Sequence, residues 1–420
     1  MDGVAEAGGA FRFNHHTGPT HGDSAERLDE ITYDMSHNDR ARKMQKRAKR
    51  PSPYDECLRD ILAFAKERGL RKADGRVYQP VDGCPCGFVR LPYRSYLDFV
   101  NEVLRDKLLQ SPRLPGDLVR TLDKLTEVVD FPEYRVTSGL WSFRDGVFNG
   151  LDMQFHRYGF LPTELQQAAA VHHFDFDYPG ELAAGLDYES RFPVFSSIIK
   201  RQLPDPDTRR LFYVMMGKSL LPVKSKERWE SFTYVYGVAG TGKTTAVEAL
   251  NRLQPCHSDL PDTPDGRFSL ADMLDKELIT TVDCDPMLLK RVLPATTVNN
   301  MCEGKAVSIN RKNSKTVTVD PWRAPLFIAS GDTWRWSQDS IAHRVVAFFF
   351  QHAVGESERT VNFDTDIVPE LPFLLVALLR AHHDMAMAHG QRDAPPLTPE
   401  AEQWRANGVG VGRPRPVRFI

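Results

Sequence analysis

The chain has 420 residues, of which 41% are hydrophobic and 26% charged, an ordinary globular composition with room for two or three domains. Its formal net charge is −2, so any contact with nucleic acid must come from local basic patches and not from a global field. Six scattered cysteines form no disulfide framework, no apolar stretch reaches the length of a membrane span, and the first residues resemble no signal peptide. Together these features predict a soluble intracellular protein.

The first 52 residues have a composition of their own. They are rich in Gly, His, Asp and Arg and poor in large aliphatic side chains, which predicts a disordered tail over residues 1–52. The tail ends in a basic run over residues 40–50. Such a run suits a nuclear import signal or an arm that binds nucleic acid, and it equally suits a solvated linker without a specific partner.

Residues 53–139 are predicted to form a small, mostly helical domain. Three amphipathic patterns carry this prediction, over residues 54–66, 95–109 and 118–128. Residues 82–87 read Asp-Gly-Cys-Pro-Cys-Gly and predict a turn. Cys84 and Cys86 are spaced too closely for a zinc knuckle and have no second pair, so the sequence favours the turn over a metal site.

Residues 140–226 are predicted to form a hairpin followed by helices. Residues 140–150 alternate apolar and polar side chains and break at Asp145-Gly146, which is a hairpin signal. A second β-like piece covers residues 170–177. Two helices are then predicted, over residues 193–201 and 207–220. Asp207 is the predicted N-cap of the second helix.

A phosphate-binding loop is predicted where the pattern G-x-x-x-x-G-K-[ST] occurs, from Gly237 to Thr244. A strand-like run at 232–236 enters the loop and a helix-like run at 245–253 leaves it, which is the context that the pattern requires. Glycines let backbone N–H groups surround an anion, and the helix points its N-terminus at the phosphates. The residues predicted to bind the nucleotide are Gly237, Val238, Ala239, Gly240, Thr241, Gly242, Lys243, Thr244 and Thr245.

The loop predicts ATP and Mg²⁺ as ligands. Lys243 has the reach for the β- and γ-phosphates, and the hydroxyl of Thr244 is suited to ligate Mg²⁺. Asp283 ends an apolar run at 278–282 that reads as a buried parallel strand, and it is the predicted metal-holding acid. Asp285 is the predicted base, because Cys284, the residue next to Asp283, is a poor base.

Strands and helices alternate from 227 to about 352, which predicts an α/β domain over residues 227–355 with a mostly parallel sheet. Within it, residues 304–320 predict a β-hairpin with strands at 307–309 and 316–319. The hairpin tip carries three cations suited to phosphate contacts with DNA, although a solvated turn carries such residues as well. These cations are Arg311, Lys312 and Lys315.

Two further strands and a C-terminal helix complete the predicted order. Residues 323–332 read as a buried strand that ends in small polar residues. Arg344 precedes an apolar strand, where an arginine in a ring-shaped ATPase can reach the γ-phosphate of a neighbouring subunit; a solvent-facing arginine is the alternative. Residues 356–420 are predicted to hold one long apolar helix, at 369–388, and a flexible tail.

In this order the parts resemble a superfamily 3 helicase, and most closely the C-terminal region of the poxvirus-type primase-helicases of giant DNA viruses. The resemblance covers about residues 140–355 and is carried by the stretches 141–148, 195–202 with 212–218, 304–322 and 322–330. It implies an AAA+-like hexameric ring with ATP and Mg²⁺, through which single-stranded or forked DNA is threaded. It also implies 3′-to-5′ unwinding in viral DNA replication, in the host nucleus or cytoplasm, beside a primase or another replication partner.

Some residues depart from that family. The family ends its third motif with a sensor asparagine, where this chain has Gly331 or, with a register shift, Asp332. Together with Cys284, this departure keeps a second hypothesis open, a catalytically weak paralogue that binds nucleotide and DNA as a structural ring subunit. A P-loop nucleotide kinase is a third. Residues 174–177 imitate the paired aspartates of primases, but no primase activity is expected.

Overall fold

The computed structural model describes most of the chain between residues 53 and 406, and the structural description is confined to these residues. The described ranges are 53–73, 76–91, 96–105, 114–124, 131–132, 137–166, 168–180, 188–255, 257–259, 270–274, 276–282, 293–310, 316–331, 339–355 and 361–406. The predicted tail over residues 1–52 lies outside them. The chain divides into two compact units, residues 1–58 and 59–420, and the described part of the first is the start of a helix.

Helices and strands alternate along the described chain. The helices are α1 (Pro53–Glu67), α2 (Tyr96–Val103), α3 (Leu114–Lys124), α4 (Thr163–Gln166), α5 (Pro193–Gln202), α6 (Pro206–Lys218), α7 (Lys243–Leu253), α8 (Ala295–Glu303), α9 (Asp339–Ala342), α10 (Leu371–His389) and α11 (Pro399–Ala406). The strands are β1 (Arg71–Ala73), β2 (Arg76–Val81), β3 (Cys84–Arg90), β4 (Leu140–Ser142), β5 (Gly146–Asn149), β6 (Gln154–Arg157), β7 (Phe232–Tyr236), β8 (His257–Asp259), β9 (Leu278–Thr281), β10 (Val307–Ile309), β11 (Val317–Val319), β12 (Leu326–Ser330) and β13 (Val345–Phe349).

The N-terminal region contains a three-stranded antiparallel sheet, β1-β2-β3, that the sequence patterns do not predict. Helix α1 agrees with its amphipathic pattern, but the mostly helical composition expected for residues 53–139 is corrected to a mixed one. The predicted turn over residues 82–87 is right only at its start, where Gly83 has a φ of 75°; Cys84 and Cys86 belong to β3. Pro80 and Pro85 obscure the strand pattern, since proline is usually confined to strand edges and bulges, and the ladder shifts register next to Pro80.

A second antiparallel sheet, β4-β5-β6, confirms the hairpin predicted at 140–150 and adds a third strand. The β-like piece at 170–177 is corrected, because it forms only isolated bridges to neighbouring segments. Both acids of this piece form salt bridges with Arg144, whose Nε lies 3.4 Å from Asp175 and 3.8 Å from Asp177. The paired aspartates that imitate a primase strand are therefore engaged by a cation of the same chain.

Helices α5 and α6 lie where the sequence predicts them, but the N-cap of α6 differs. Asp205, not Asp207, is the cap, and its side chain accepts a hydrogen bond of 2.7 Å from the backbone N–H of Thr208. The reason is Pro206, whose fixed φ and missing N–H suit the first helical position and leave the capping role to the residue before it.

Five strands form a parallel sheet in the order β13-β7-β12-β9-β8. The side chains of β9 and β12 are buried along their whole length, and those of β7 and β13 are buried except at the last position, as expected for a parallel sheet covered on both faces. Helix α7 contacts β9 and β12. Over these residues the fold is mixed α/β around a parallel sheet, as the alternating sequence pattern predicts.

The long helix α10 packs against α6 and confirms the predicted apolar helix, while α11 goes beyond the prediction. A buried cluster of ionisable side chains fixes this packing: Glu227 lies 3.0 Å from Lys218 of α6 and 3.0 Å from His382 of α10. Burial alone would raise the pKa of Glu227, but the two partners outweigh it and lower the pKa to about 2. None of the described helices combines the length and apolarity of a bilayer span.

Candidate nucleotide-binding site

The phosphate-loop segment connects the C-terminal end of β7 to the N-terminus of α7. Gly237, Gly240 and Gly242 adopt φ values of 151°, 78° and 87°, which L side chains rarely tolerate. At Gly237 the backbone also approaches closely, because an added Cβ would lie 1.8 Å from the carbonyl oxygen of Phe350. The glycines of the pattern are therefore required by this backbone path.

Two backbone hydrogen bonds fix the loop to the segment that follows β13. The N–H of Phe350 donates to the carbonyl of Tyr236 over 2.8 Å, and the N–H of Val354 donates to the carbonyl of Gly240 over 2.9 Å. The loop is thus held from outside as well as by its own strand and helix, which limits the ways in which it can deform.

The sheet order places the loop at a topological switch point. In the strand order, the connection that leaves β7 runs to β8, at one end of the sheet. The connection that leaves the adjacent strand β12 runs in the opposite direction, past β7, to β13 at the other end. In open parallel sheets, ligands bind in the crevice that such a reversal creates at the carboxyl ends of the strands. The crevice at β7 is the place where the phosphate loop lies.

Lys243 is the first residue of α7, and its side chain turns back into the loop. Its Nζ donates to the carbonyl of Val238 over 2.9 Å, and the hydroxyl of Thr241 donates to the same carbonyl over 3.0 Å. Thr244 lies exposed in the first turn of α7. The N–H groups and the positive dipole end of this first turn, together with Lys243, favour an anion at this point.

A cavity of about 510 Å³ opens beside the loop. Its described lining has three parts: the loop and first turn of α7 (residues 239–245), the side chains Ser197, Ile198, Arg201 and Gln202 of α5, and the side chains Val354, Val361, Phe363 and Ile367. A polar cationic end beside an apolar wall is the combination that a molecule with a phosphate chain and a planar ring system requires.

Gln202 fixes the α5 wall of this cavity. Its side-chain N–H donates to the carbonyl of His352 over 2.7 Å, while its side-chain oxygen accepts from the N–H of His352 over 2.9 Å. Gln202 is buried, and two residues beyond His352 the backbone of Val354 bonds to the phosphate loop at Gly240. The last turn of α5, the segment after β13 and the phosphate loop are therefore joined in one hydrogen-bonded chain.

Strand β9 leads toward the predicted acidic residues. Its side chains are buried, and Val282, immediately after it, is 39% exposed, so the chain leaves the sheet at the same edge as the phosphate loop. This is the edge at which the sequence places Asp283. Asp283 and Asp285 lie outside the described residues, and their metal and base roles stay predictions.

Strand β12 is followed by Gly331, which the resemblance aligns with the sensor asparagine of superfamily 3 helicases. Gly331 belongs to the residues that the structure describes, and Asp332 does not. Gly331 is exposed, and no heavy atom of the described residues lies within 4 Å of a Cβ added to it. Packing does not require a glycine at this position, in contrast to Gly237. The side chain that a sensor would need is absent here although there is space for it.

Arg344 is engaged within its own chain. Its Nε donates to Asn299 over 2.9 Å and one terminal nitrogen donates to Glu230 over 2.7 Å, while the other contacts Glu303. Burial alone would raise the pKa of Glu230, but hydrogen bonds from Lys224 and Arg344 hold it below its ordinary value. Arg344 precedes β13, at the sheet edge opposite the phosphate loop. These contacts favour a structural clamp, and the reach to a neighbouring subunit stays a prediction.

The hairpin predicted to bind DNA is confirmed in its strands. β10 and β11 pair antiparallel, with Val307 opposite Val319 and Ile309 opposite Val317. The tip, with the three cations at 311, 312 and 315, lies outside the described residues, so its DNA contacts stay a prediction.

Sequence reasoning misses two residues that line the cavity, Arg201 and Gln202. Both end a stretch that carries the family resemblance, but nothing in a helical pattern indicates which turn faces the phosphate loop. The available signal is chemical: a cation and an amide occur side by side at the last turn of α5, which is separated from the nucleotide-binding segment by α6.

No protein-family model matches the chain, and no curated protein sequence matches it either. Among solved structures, the chain is similar to apo forms of the C-terminal region of NrS-1. An A-form structure of that region shares 12% identity at a TM-score of 0.42, over 83% of this chain and 74% of that chain. An apo structure of NrS-1 residues 305–718 shares 13% identity at 0.40, over 84% and 75%. TM-scores below 0.5 do not establish a shared fold or function.

Proposed function

We propose that the chain is an ATP-dependent DNA helicase of the superfamily 3 type, which acts in viral DNA replication and translocates on single-stranded DNA as a ring. The observation that carries the proposal is the glycine-lined loop between β7 and α7, which opens with Lys243 into a cavity of about 510 Å³. Glycines at positive φ, a helix N-terminus and a lysine are the parts that bind the phosphates of a nucleoside triphosphate.

Each residue of the site has a proposed task. Lys243 neutralises the β- and γ-phosphates as charge moves toward the leaving oxygen, and the loop N–H groups orient the phosphate chain. The exposed hydroxyl of Thr244, with the carboxylate of Asp283, is an oxygen donor set that suits Mg²⁺, which supplies further charge neutralisation when bound. Asp285 is the proposed base that positions the attacking water.

The proposal extends to DNA and to assembly. The parallel sheet with its phosphate loop at the switch point is compatible with an AAA+-like P-loop core, for which the family resemblance implies a hexamer. Arg311, Lys312 and Lys315 are the proposed DNA-binding residues at the hairpin tip, where cations neutralise backbone phosphates. A primase or another replication protein is the proposed partner.

A second candidate has an observation in its favour. Gly331 leaves the proposed sensor position without a side chain, although none of the residues that the structure describes fills the space next to it. A catalytically weak paralogue that binds nucleotide and DNA as a ring subunit would need the phosphate loop but not the sensor. The two candidates therefore agree on nucleotide binding and differ on turnover.

Hydrolysis of ATP by the full chain, with and without single-stranded DNA, separates them. We expect DNA-stimulated turnover that falls about 100-fold or more in Lys243→Ala, because the charge that stabilises the transition state is lost. Lys200→Ala is the matched control, since this exposed lysine of α5 lies outside the cavity. Arg311→Ala combined with Lys312→Ala should reduce the stimulation by DNA and flatten the salt dependence of DNA binding.

Two results would argue against the helicase. If the wild type binds ATP but shows no turnover that depends on Lys243, the weak paralogue is favoured. If the wild type binds no ATP at all, neither candidate survives.

A further inference from the structure

The cavity beside the phosphate loop is lined by cations from two helices. Among the described residues that line it, Lys243 and Arg201 are the cations, and none is a carboxylate. Lys243 begins α7, whereas Arg201 lies in the last turn of α5, so two separate helices supply the charge. Converging cations without a neighbouring acid favour a ligand with several negative charges.

Arg201 differs from the other cations nearby. Lys200 lies 3.0 Å from Glu189, and Arg209 lies 2.7 Å from the same carboxylate. Within the described part of the chain, Arg201 pairs with no carboxylate, and its side chain is exposed. A guanidinium presents a planar fork of N–H donors that binds two phosphate oxygens at once.

The position of Arg201 is set by its neighbour. Gln202 is held to both backbone groups of His352, and the segment that contains His352 is bonded to the phosphate loop through Val354. The turn that carries Arg201 is thereby fixed relative to the loop before any ligand binds. Such preorganisation reduces the ordering cost of a phosphate contact.

We propose that Arg201 is a second phosphate-binding residue of this site, which contacts the phosphate chain of a nucleoside triphosphate from the same chain that supplies Lys243. The inference rests on the proposed function of the cavity as a nucleotide site. Its contribution to affinity grows with the number of phosphates, because its charge-assisted hydrogen bonds go to phosphate oxygens. Arg201 therefore distinguishes ATP from AMP, which Lys243 alone would do less sharply.

Calorimetric titration of the full chain with ATP and with AMP tests this role. We expect Arg201→Ala to weaken ATP binding roughly tenfold or more, the loss of one charge-assisted interaction, and to change AMP binding about threefold at most. Arg201→Lys should recover part of the ATP affinity, since the charge remains but the fork is lost. Lys200→Ala is the matched control, because it removes an adjacent cation of α5 that does not line the cavity.

The outcomes separate this proposal from the function on which it rests. If ATP binding depends on Lys243 but is the same in Arg201→Ala as in the wild type, the role of Arg201 is wrong and the nucleotide site stands. An equal loss of ATP and AMP affinity in Arg201→Ala would also overturn the proposal, because it would indicate damage to the cavity wall. If the wild type binds no ATP, both proposals fail.

Discussion

Two glycines that directly follow strands of the parallel sheet differ in whether their surroundings exclude a side chain. Gly237 has a positive φ, and an added Cβ would lie 1.8 Å from the carbonyl oxygen of Phe350, so the backbone path excludes any side chain. For Gly331, which directly follows the neighbouring strand β12, no atom in the described part of the chain lies within 4 Å of such a Cβ. The backbone path of the loop requires the first glycine, whereas no contact of the described residues requires the second.

Placing the family's sensor asparagine at Gly331 tests whether its absence limits turnover. We expect Gly331→Asn to fold normally and to raise the rate of ATP hydrolysis about tenfold, because an amide donor at the sensor position stabilises charge that develops on the phosphate. The measurement is steady-state turnover with saturating DNA, with kcat compared between the variants.

Gly331→Ala provides the control for this substitution. It adds a Cβ without an amide, so it should leave kcat unchanged and alter stability by less than about 1 kcal/mol. A well-folded Gly331→Asn variant with the kcat of the wild type would show that this position is not the sensor, and Asp332 would become the candidate.

At the scale of elements, the phosphate loop is connected to the helical region before it through one buried amide. Gln202 of α5 bonds to both backbone groups of His352, and the segment after β13 bonds onward to Gly240. A helix displaced relative to the sheet would therefore displace the cavity wall and the loop together. This connection predicts that α5 contributes to the proposed nucleotide binding as well as to packing.

Breaking the connection should weaken nucleotide binding more than it weakens the fold. We expect Gln202→Leu, which leaves both backbone groups of His352 without partners, to reduce ATP affinity about tenfold and to lower stability by about 1–3 kcal/mol. Affinity is measured by titration and stability by thermal unfolding. Gln154→Leu, at an exposed position of β6, is the matched control.

The conservative variant separates positioning from general damage. Gln202→Asn keeps both the donor and the acceptor on a shorter, uncharged side chain, so its ATP affinity should fall between those of the wild type and Gln202→Leu. If Gln202→Leu loses stability while its ATP affinity stays at the wild-type value, the amide supports the fold and does not position the site.

Local patterns predict the parallel core well because each of its elements is specified by contiguous residues. Strand β7 has the predicted bounds, residues 232–236, and the helix after the loop begins only two residues earlier than predicted. The antiparallel sheet at 71–90 is missed because its prolines break the period-two pattern. The piece at 170–177 has the alternation of a strand but finds only single-residue bridges, since strand formation depends on partners that a local pattern cannot specify.

At the scale of the whole molecule, the residues of the candidate site also divide into those that a local sequence pattern predicts and those that only the fold brings together. Lys243 and Thr244 are predictable, because their motif is continuous in sequence. Arg201 and Gln202 become part of the site only when the fold places the end of α5 against the loop, and no local pattern contains that information. Arg344 is an intermediate case: its position before β13 is predictable, but its acceptors come from α8 and from the segment before β7.

The acceptors of Arg344 determine what its loss should do to the assembled protein. Its guanidinium is bound to two carboxylates and an amide of its own chain, and its side chain is 16% exposed. A contact with a neighbouring subunit's phosphate would require these partners to be given up. The intrachain clamp is therefore the role that the contacts favour, and the two roles predict different behaviour in mixtures of subunits.

We expect Arg344→Ala to lower stability by about 2 kcal/mol, because Glu230 and Glu303 lose their charged partner, and Arg344→Lys to recover part of this loss. For a clamp, a mixture of Arg344→Ala and Lys243→Ala subunits should hydrolyse ATP no faster than the two variants measured separately. A shared site would behave differently, because a subunit with an intact Lys243 could receive Arg344 from its neighbour and turnover would recover. Recovery in the mixture, measured at equal total protein, would contradict the clamp and assign Arg344 to the interface between subunits.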